Sequence, residues 1–254
     1  MFDITKPWPL GLDRRNWPWA LAALVLMIAA LAAIDTWASR GAIGWPDSWR
    51  APFFLITDYG LSDWVLIPSL AVLILARLLM FALRGLWRMV AGEVALVSAF
   101  IFVGVGLPGL ATNLLKRLIG RARPTEFEAE GAFSFQNILN DWTFQSFPSG
   151  HSATAIAMAF VIGFLWPRLF WPFLAIGLIV SFSRVPVGMH YPSDVLAGVV
   201  VGMLGTYCVR NFFASRSWLF ERTADGRIIR RPLTAIPSLI GRGHNAPTPP
   251  PDRP

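Results

Sequence analysis

The chain has 254 residues, 55% of them hydrophobic and 13% aromatic, and a net charge of +7 carried on only 15% charged residues. A soluble domain devotes about a quarter of its residues to charge, so a globule wetted on all sides is excluded, as are disordered, collagen-like and disulfide-scaffold chains. The lone cysteine, Cys208, can form no internal disulfide; within an apolar run it reads as a small buried hydrophobe.

A bilayer-spanning helix needs about 20 mostly apolar residues. In chain order the sequence offers six, at 17–36, 64–83, 94–115, 149–166, 169–185 and 192–210, preceded by a basic N-terminus over 1–16. The last three carry short apolar runs. That is tolerable when their polar ends line a site instead of facing lipid. Tryptophans such as Trp17, Trp64, Trp87 and Trp166 fall near the proposed ends, as an interfacial belt requires, and Pro68 and Pro108 should kink their spans. Counting Lys and Arg on alternate sides puts fifteen with the termini and seven opposite, which predicts cytoplasmic termini. Trp37-Ala38-Ser39 resembles a signal-peptide cleavage site, but the first span is expected to be retained. Residues 211–254 read as a basic, proline-rich, partly disordered cytoplasmic tail able to touch anionic lipid. Nothing in the chain repeats, and nothing resembles a nucleic-acid motif.

Of three histidines, His244 lies in the tail, whereas His151 and His190 occupy loop-to-helix junctions on the same, non-cytoplasmic side. Three polar clusters share that side. Lys116-Arg117-Leu118-Ile119-Gly120-Arg121-Ala122-Arg123-Pro124 places four cations where topology disfavours them, and an anionic ligand would account for their presence. Pro148-Ser149-Gly150-His151 opens the fourth span, where free N–H groups and the helix dipole favour an anion. An ordinary N-cap explains Ser149 there but not His151. In the third cluster, Ser183-Arg184 leads to His190-Tyr191-Pro192-Ser193-Asp194. Asp194 lies one turn into the sixth helix, in reach of His190; a carboxylate on Nδ1–H would leave Nε2 free to attack. Favourable placement at a helix N-terminus is the simpler account of Asp194 alone.

The series Lys116-x6-Arg123-Pro124, Pro148-Ser149-Gly150-His151 and Ser183-Arg184-x5-His190-x3-Asp194 resembles the three-part signature of the type-2 phosphatidic acid phosphatase family. That family includes bacterial undecaprenyl-diphosphate phosphatases, phosphatidylglycerophosphatases, lipid A phosphatases and glucose-6-phosphatase; soluble vanadium haloperoxidases share its pocket. All eleven specified positions are present. The resemblance implies an all-α, six-helix membrane bundle over 17–210 with its active site at the non-cytoplasmic end. It further implies that Lys116, Arg123 and Arg184, with Ser149 and the Gly150 N–H, cradle a phosphoryl group. In that scheme His190 attacks phosphorus, Asp194 orients it, and His151 protonates the leaving oxygen and then activates water.

The resulting expectation is a metal-independent phosphatase without cofactor, in the cell membrane, acting on a lipid phosphate monoester or isoprenoid diphosphate. No convincing metal-ligand set and no obligate protein partner is evident in the sequence. The aromatics of the 124–147 loop, among them Phe133, Phe135 and Trp142, would sit among headgroups and guide a lipid. Its acids, Glu126, Glu128, Glu130 and Asp141, read as solvated charges, with pairing to Arg117 or Arg121 as the alternative. A phosphotransferase would use the same residues with a lipid acceptor. A transporter or scaffold would need the cations but not a nucleophile with its orienting acid.

Overall fold

A computed structural model describes residues 3–138 and 141–237. The chain forms helices α1 (Trp17–Ile43), α2 (Asp47–Thr57), α3 (Asp63–Ala82), α4 (Gly85–Ile119), α5 (Phe127–Glu130), α6 (Gly150–Leu165), α7 (Phe170–Ser183) and α8 (Pro192–Ser215). A short antiparallel hairpin, β1 (Phe220–Arg222) with β2 (Ile228–Arg230), follows α8. Four stretches are long and apolar enough to cross a membrane: α1, Asp47–Ala82, α4 and α8. Leu26, Leu78, Phe81 and Leu110 are among the many large apolar side chains exposed on α1, α3 and α4. In a soluble monomer such a surface would be a liability; here it is the face a multi-pass protein turns to lipid. At 16 and 14 residues, α6 and α7 fall short of the spanning length, as the sequence anticipates.

α6 lies at the centre, packed by α4, α7 and α8, and most of its residues are buried. Small side chains make this possible, because helices without a hydrophobic drive between them associate through close backbone approach. A Cβ on Gly198 of α8 would stand 2.3 Å from the Ser149 carbonyl oxygen, so only glycine permits the α6–α8 crossing. One half of the bundle is filled by Phe100, Ile156, Phe160, Phe164, Tyr207 and Phe213. The hairpin closes that core, with Phe220 edge-on to Phe100 at 4.7 Å. Arg210, fully buried, donates to the backbone carbonyls of Lys6 (2.7 Å) and Pro7 (3.1 Å) and ties the N-terminal segment to α8.

Several expectations shift. The first span continues through Trp37-Ala38-Ser39, which lies inside α1, and α4 begins nine residues before its expected start. α2 stands where no helix was expected; Pro52 and Arg50 interrupt its apolar pattern. The bundle is not wholly α, because the stretch read as the beginning of the tail forms five more residues of α8 and then the hairpin. The proline-rich end and His244 lie outside the described residues. Cys208 is exposed, not buried: helical periodicity points Thr206 and Tyr207 inward and turns Cys208 away.

Candidate active site

The three sequence clusters meet at one end of the bundle. α4 delivers Lys116 on its last buried turn before Gly120 (φ 65°) ends the helix in a left-handed cap. The loop that leaves it is pinned by backbone bonds, from Arg123 N–H to the Thr143 carbonyl (2.8 Å) and from Ser146 N–H to the Arg121 carbonyl (3.0 Å). Arg123 is thereby turned inward, with its guanidinium 5.2 Å from the Trp142 ring and Nη1 3.1 Å from Met189 Sδ. Ser149 caps α6, its hydroxyl accepting from the Ser152 N–H at 3.4 Å and also from the Ser152 hydroxyl at 2.9 Å. Its own N–H donates to the Asp194 carbonyl (2.9 Å), which joins the second cluster to the third. Lys116 reaches Gly150 so closely that a Cβ there would stand 3.2 Å from Nζ.

α2 and the turn after it form the back wall. Arg184 donates to the Thr57 hydroxyl, and Arg50 Nε donates to the Pro186 carbonyl at 2.9 Å. Gly60 lies against His151: a Cβ at that position would come within 2.8 Å of His151 Cβ and Cδ2. The Nε groups of Arg123 and Arg184 are buried and bond nothing among the described residues. Buried donors of this kind normally have a partner, so the donor set fits a multidentate anion such as phosphate.

His190 is 1% exposed. Its Nδ1 lies 2.7 Å from the Ser146 carbonyl oxygen and 3.8 Å from Asp194 Oδ2. The direct carboxylate–imidazole bond expected from the spacing is therefore not formed. Asp194 instead acts one residue removed: Oδ2 accepts from the Ser146 hydroxyl (2.5 Å) and from the Tyr191 N–H (2.9 Å). A carbonyl oxygen only accepts, so Nδ1 carries the proton and Nε2 presents its lone pair. Burial, and then Lys116, Arg184 and Arg123, hold the His190 imidazole well below its ordinary value, against the opposing pull of Ser146.

Such a shift has a stability consequence. Once unfolded, the imidazole protonates near pH 6.5, whereas in the fold it stays neutral further down. Stability is thus whole above about pH 6.5 and falls as pH drops below it, by up to about 1.4 kcal/mol per pH unit from this group. The thermal midpoint of the detergent-solubilised protein should decline from pH 7 to 5.5, and more shallowly in His190→Gln. Parallel declines would contradict the buried neutral imidazole.

Arg121 binds no acid of the 124–147 loop. It pairs with Asp194 (Nη1 to Oδ1, 2.7 Å) and with Asp35 of α1 (Nη2 to Oδ2, 2.9 Å). The two carboxylates outweigh the cost of its burial and raise its affinity for the proton. Glu128 pairs with Arg40, while Glu130 accepts from Ser134 at 3.0 Å. Sequence reasoning missed Asp35, Arg121 as a structural cation, Ser146 and Thr57. For Asp35 a signal existed, since an acid inside an apolar span is costly unless it has a partner.

A mostly helical membrane bundle thus gathers cations around two histidines at one end, a donor set that fits a phosphate. The sequence profile of the PAP2 superfamily matches residues 95–218. The lipid A 1-phosphatase of Rhizobium johnstonii is 38% identical over 180 residues, covering 68% of this chain and 71% of that protein. The undecaprenyl-diphosphatase of Bacillus subtilis is 33% identical over 105 residues, 41% of this chain and 52% of that protein. A crystal structure of a transmembrane PAP2-type phosphatidylglycerolphosphate phosphatase from Bacillus subtilis aligns with a TM-score of 0.48 and 24% identity, over 75% of this chain and 94% of that one. The chain belongs to the PAP2 superfamily. Within it, the relatives it resembles are lipid phosphatases.

Proposed function

We propose that the chain hydrolyses a lipid-borne phosphate monoester or diphosphate through a phosphohistidine on His190, with no metal. The observation that carries this reading is the 2.7 Å bond from His190 Nδ1 to the Ser146 carbonyl, which leaves the Nε2 lone pair free to attack, beside Lys116, Arg123 and Arg184. Nε2 attacks phosphorus, the bond to the leaving oxygen breaks, and His151 gives that oxygen its proton. His151 then takes a proton from water, whose oxygen displaces His190 and releases orthophosphate. Catalysis of this kind rests on position and on charge stabilisation at the equatorial oxygens. Lys116, Arg123 and Arg184 supply that charge, joined by the Ser149 hydroxyl and the Gly150 N–H. Among the described residues no three His, Cys, Asp or Glu side chains form a group able to hold a metal ion.

The leaving group lies opposite the nucleophile and therefore on the His151 side. A cavity of about 390 Å³ opens there, lined by Lys116, Gly150 and His151 and by Leu61 just before α3, Leu66 of α3 and Leu110 of α4. Its apolar wall suits a lipid whose chains stay in the bilayer. In this reading six crossings follow from the apolar runs, and cytoplasmic termini with a site on the opposite side from the Lys and Arg distribution. The relatives' names support a panel of lipid A, undecaprenyl diphosphate, phosphatidylglycerophosphate and phosphatidic acid.

The test is release of inorganic phosphate from that panel in detergent, with no acceptor added. At least one lipid should be turned over, unaffected by chelator and inhibited by vanadate, which mimics the bound phosphoryl group. Loss of activity in chelator would contradict the metal-free scheme. Transfer to a second lipid without free phosphate would make the protein a phosphotransferase instead.

A further inference from the structure

Asp35 is 0% exposed in α1, a helix whose apolar length otherwise buries almost nothing. An acid there is unfavourable unless fully bonded, and both of its oxygens are. Oδ1 accepts from the Ser193 N–H at 2.9 Å; Oδ2 accepts from Arg121 Nη2 at 2.9 Å and from the Ser193 hydroxyl. Arg121 in turn gives Nη1 to Asp194 and to Ser193 Oγ (2.8 Å) and Nε to the Ala132 carbonyl (3.1 Å), with its guanidinium 4.2 Å from the Tyr191 ring. We propose that Asp35 is a positioning residue for the His190 nucleophile, acting through Arg121 and Asp194.

The chain of contacts is continuous: Asp35, Arg121, Asp194, the Ser146 hydroxyl, the Ser146 carbonyl, His190 Nδ1. Geometry gives one part of the role. By occupying Nη2, Asp35 leaves Arg121 only Nη1 for Asp194, so the carboxylate meets the guanidinium through Oδ1 alone. Oδ2 is kept for Ser146 and Tyr191. Without Asp35 the fork would favour a bidentate grip on Asp194, which pulls Oδ2 from Ser146 and releases the carbonyl that sets the His190 tautomer. Charge gives the other part. Two carboxylates about one guanidinium make the group net negative, next to an imidazole that becomes cationic on taking the phosphoryl group among three fixed cations. Neutralising Asp35 leaves the group neutral and the phosphohistidine less stabilised. Ground-state capture of the phosphate by Lys116, Arg123 and Arg184 is untouched, so the role belongs to turnover rather than to binding.

This inference rests on the hydrolytic reading above, and the experiment separates the two. Steady-state phosphate release is compared for the full chain and its Asp35→Asn, Asp194→Asn and doubly substituted forms. Asp35→Asn should lower kcat about tenfold or more with KM within about twofold, and should lower it by less than about twofold further in the Asp194→Asn background, as residues of one network do. Unchanged kcat, a loss confined to KM, or an equal loss in both backgrounds would overturn the proposal. Ser193→Ala, which removes one donor to Asp35 and keeps every charge, covers the case in which Asp35→Asn fails to fold. A kcat loss of about threefold or more at constant KM is then expected, and wild-type kcat would overturn the proposal. Wild-type protein that releases phosphate from no lipid refutes the hydrolytic reading itself.

Discussion

Replacing His190 by alanine should lower phosphate release by on the order of 10⁴-fold or more, as loss of a nucleophile does where catalytic groups act as a unit. Among the described residues no other imidazole can take over. His151 is backed by Gly60 and lines the neighbouring cavity, and in the proposed mechanism it is already required as the acid. Detergent-solubilised His190→Ala should keep its helical content, because the α6–α8 crossing and the core around Phe100 and Phe160 do not involve the imidazole. Residual turnover within tenfold of wild type would refute the nucleophile assignment.

The second large effect concerns the cradle. Lys116→Ala or Arg123→Ala should each cost on the order of a hundredfold or more in kcat, by comparison with deletion of one oxyanion donor. Arg123 is fixed against Trp142 and Met189 and Lys116 against Gly150, so both charges are in place before substrate arrives. That order carries a stability penalty. Arg123 and Arg184 crowd Lys116 in a largely buried site, and their like charges oppose one another there, while Asp194 is committed to Arg121. Removing one cation should therefore leave the thermal midpoint unchanged or raise it while turnover collapses. Near-normal kcat in both variants would undo the cradle.

Much of this site was legible because its residues contradict their surroundings. Histidines at the mouths of apolar helices and a cluster of cations just past an apolar span stand out in a sequence with so few polar groups. What stayed hidden depends on contacts between distant segments. Asp35 lies 86 positions from Arg121, and no local pattern pairs them. Asp194 four residues after His190 suggests a direct bond, yet the chain places the Ser146 carbonyl between them in function, and a backbone oxygen leaves no trace in a motif. The long helices follow from apolar length alone. α2 was obscured by Pro52 and Arg50, and the hairpin by its two short strands; Asp225-Gly226 at its turn was the available signal.

The central claim is a covalent bond between phosphorus and His190. The full-length protein can be mixed with a radiolabelled lipid phosphate that it hydrolyses and quenched in alkali within the first turnover. The account predicts label held on the peptide that contains His190, stable to base and lost in acid, and absent from the His190→Ala protein. Label on any other residue, or an acid-stable adduct, would contradict it.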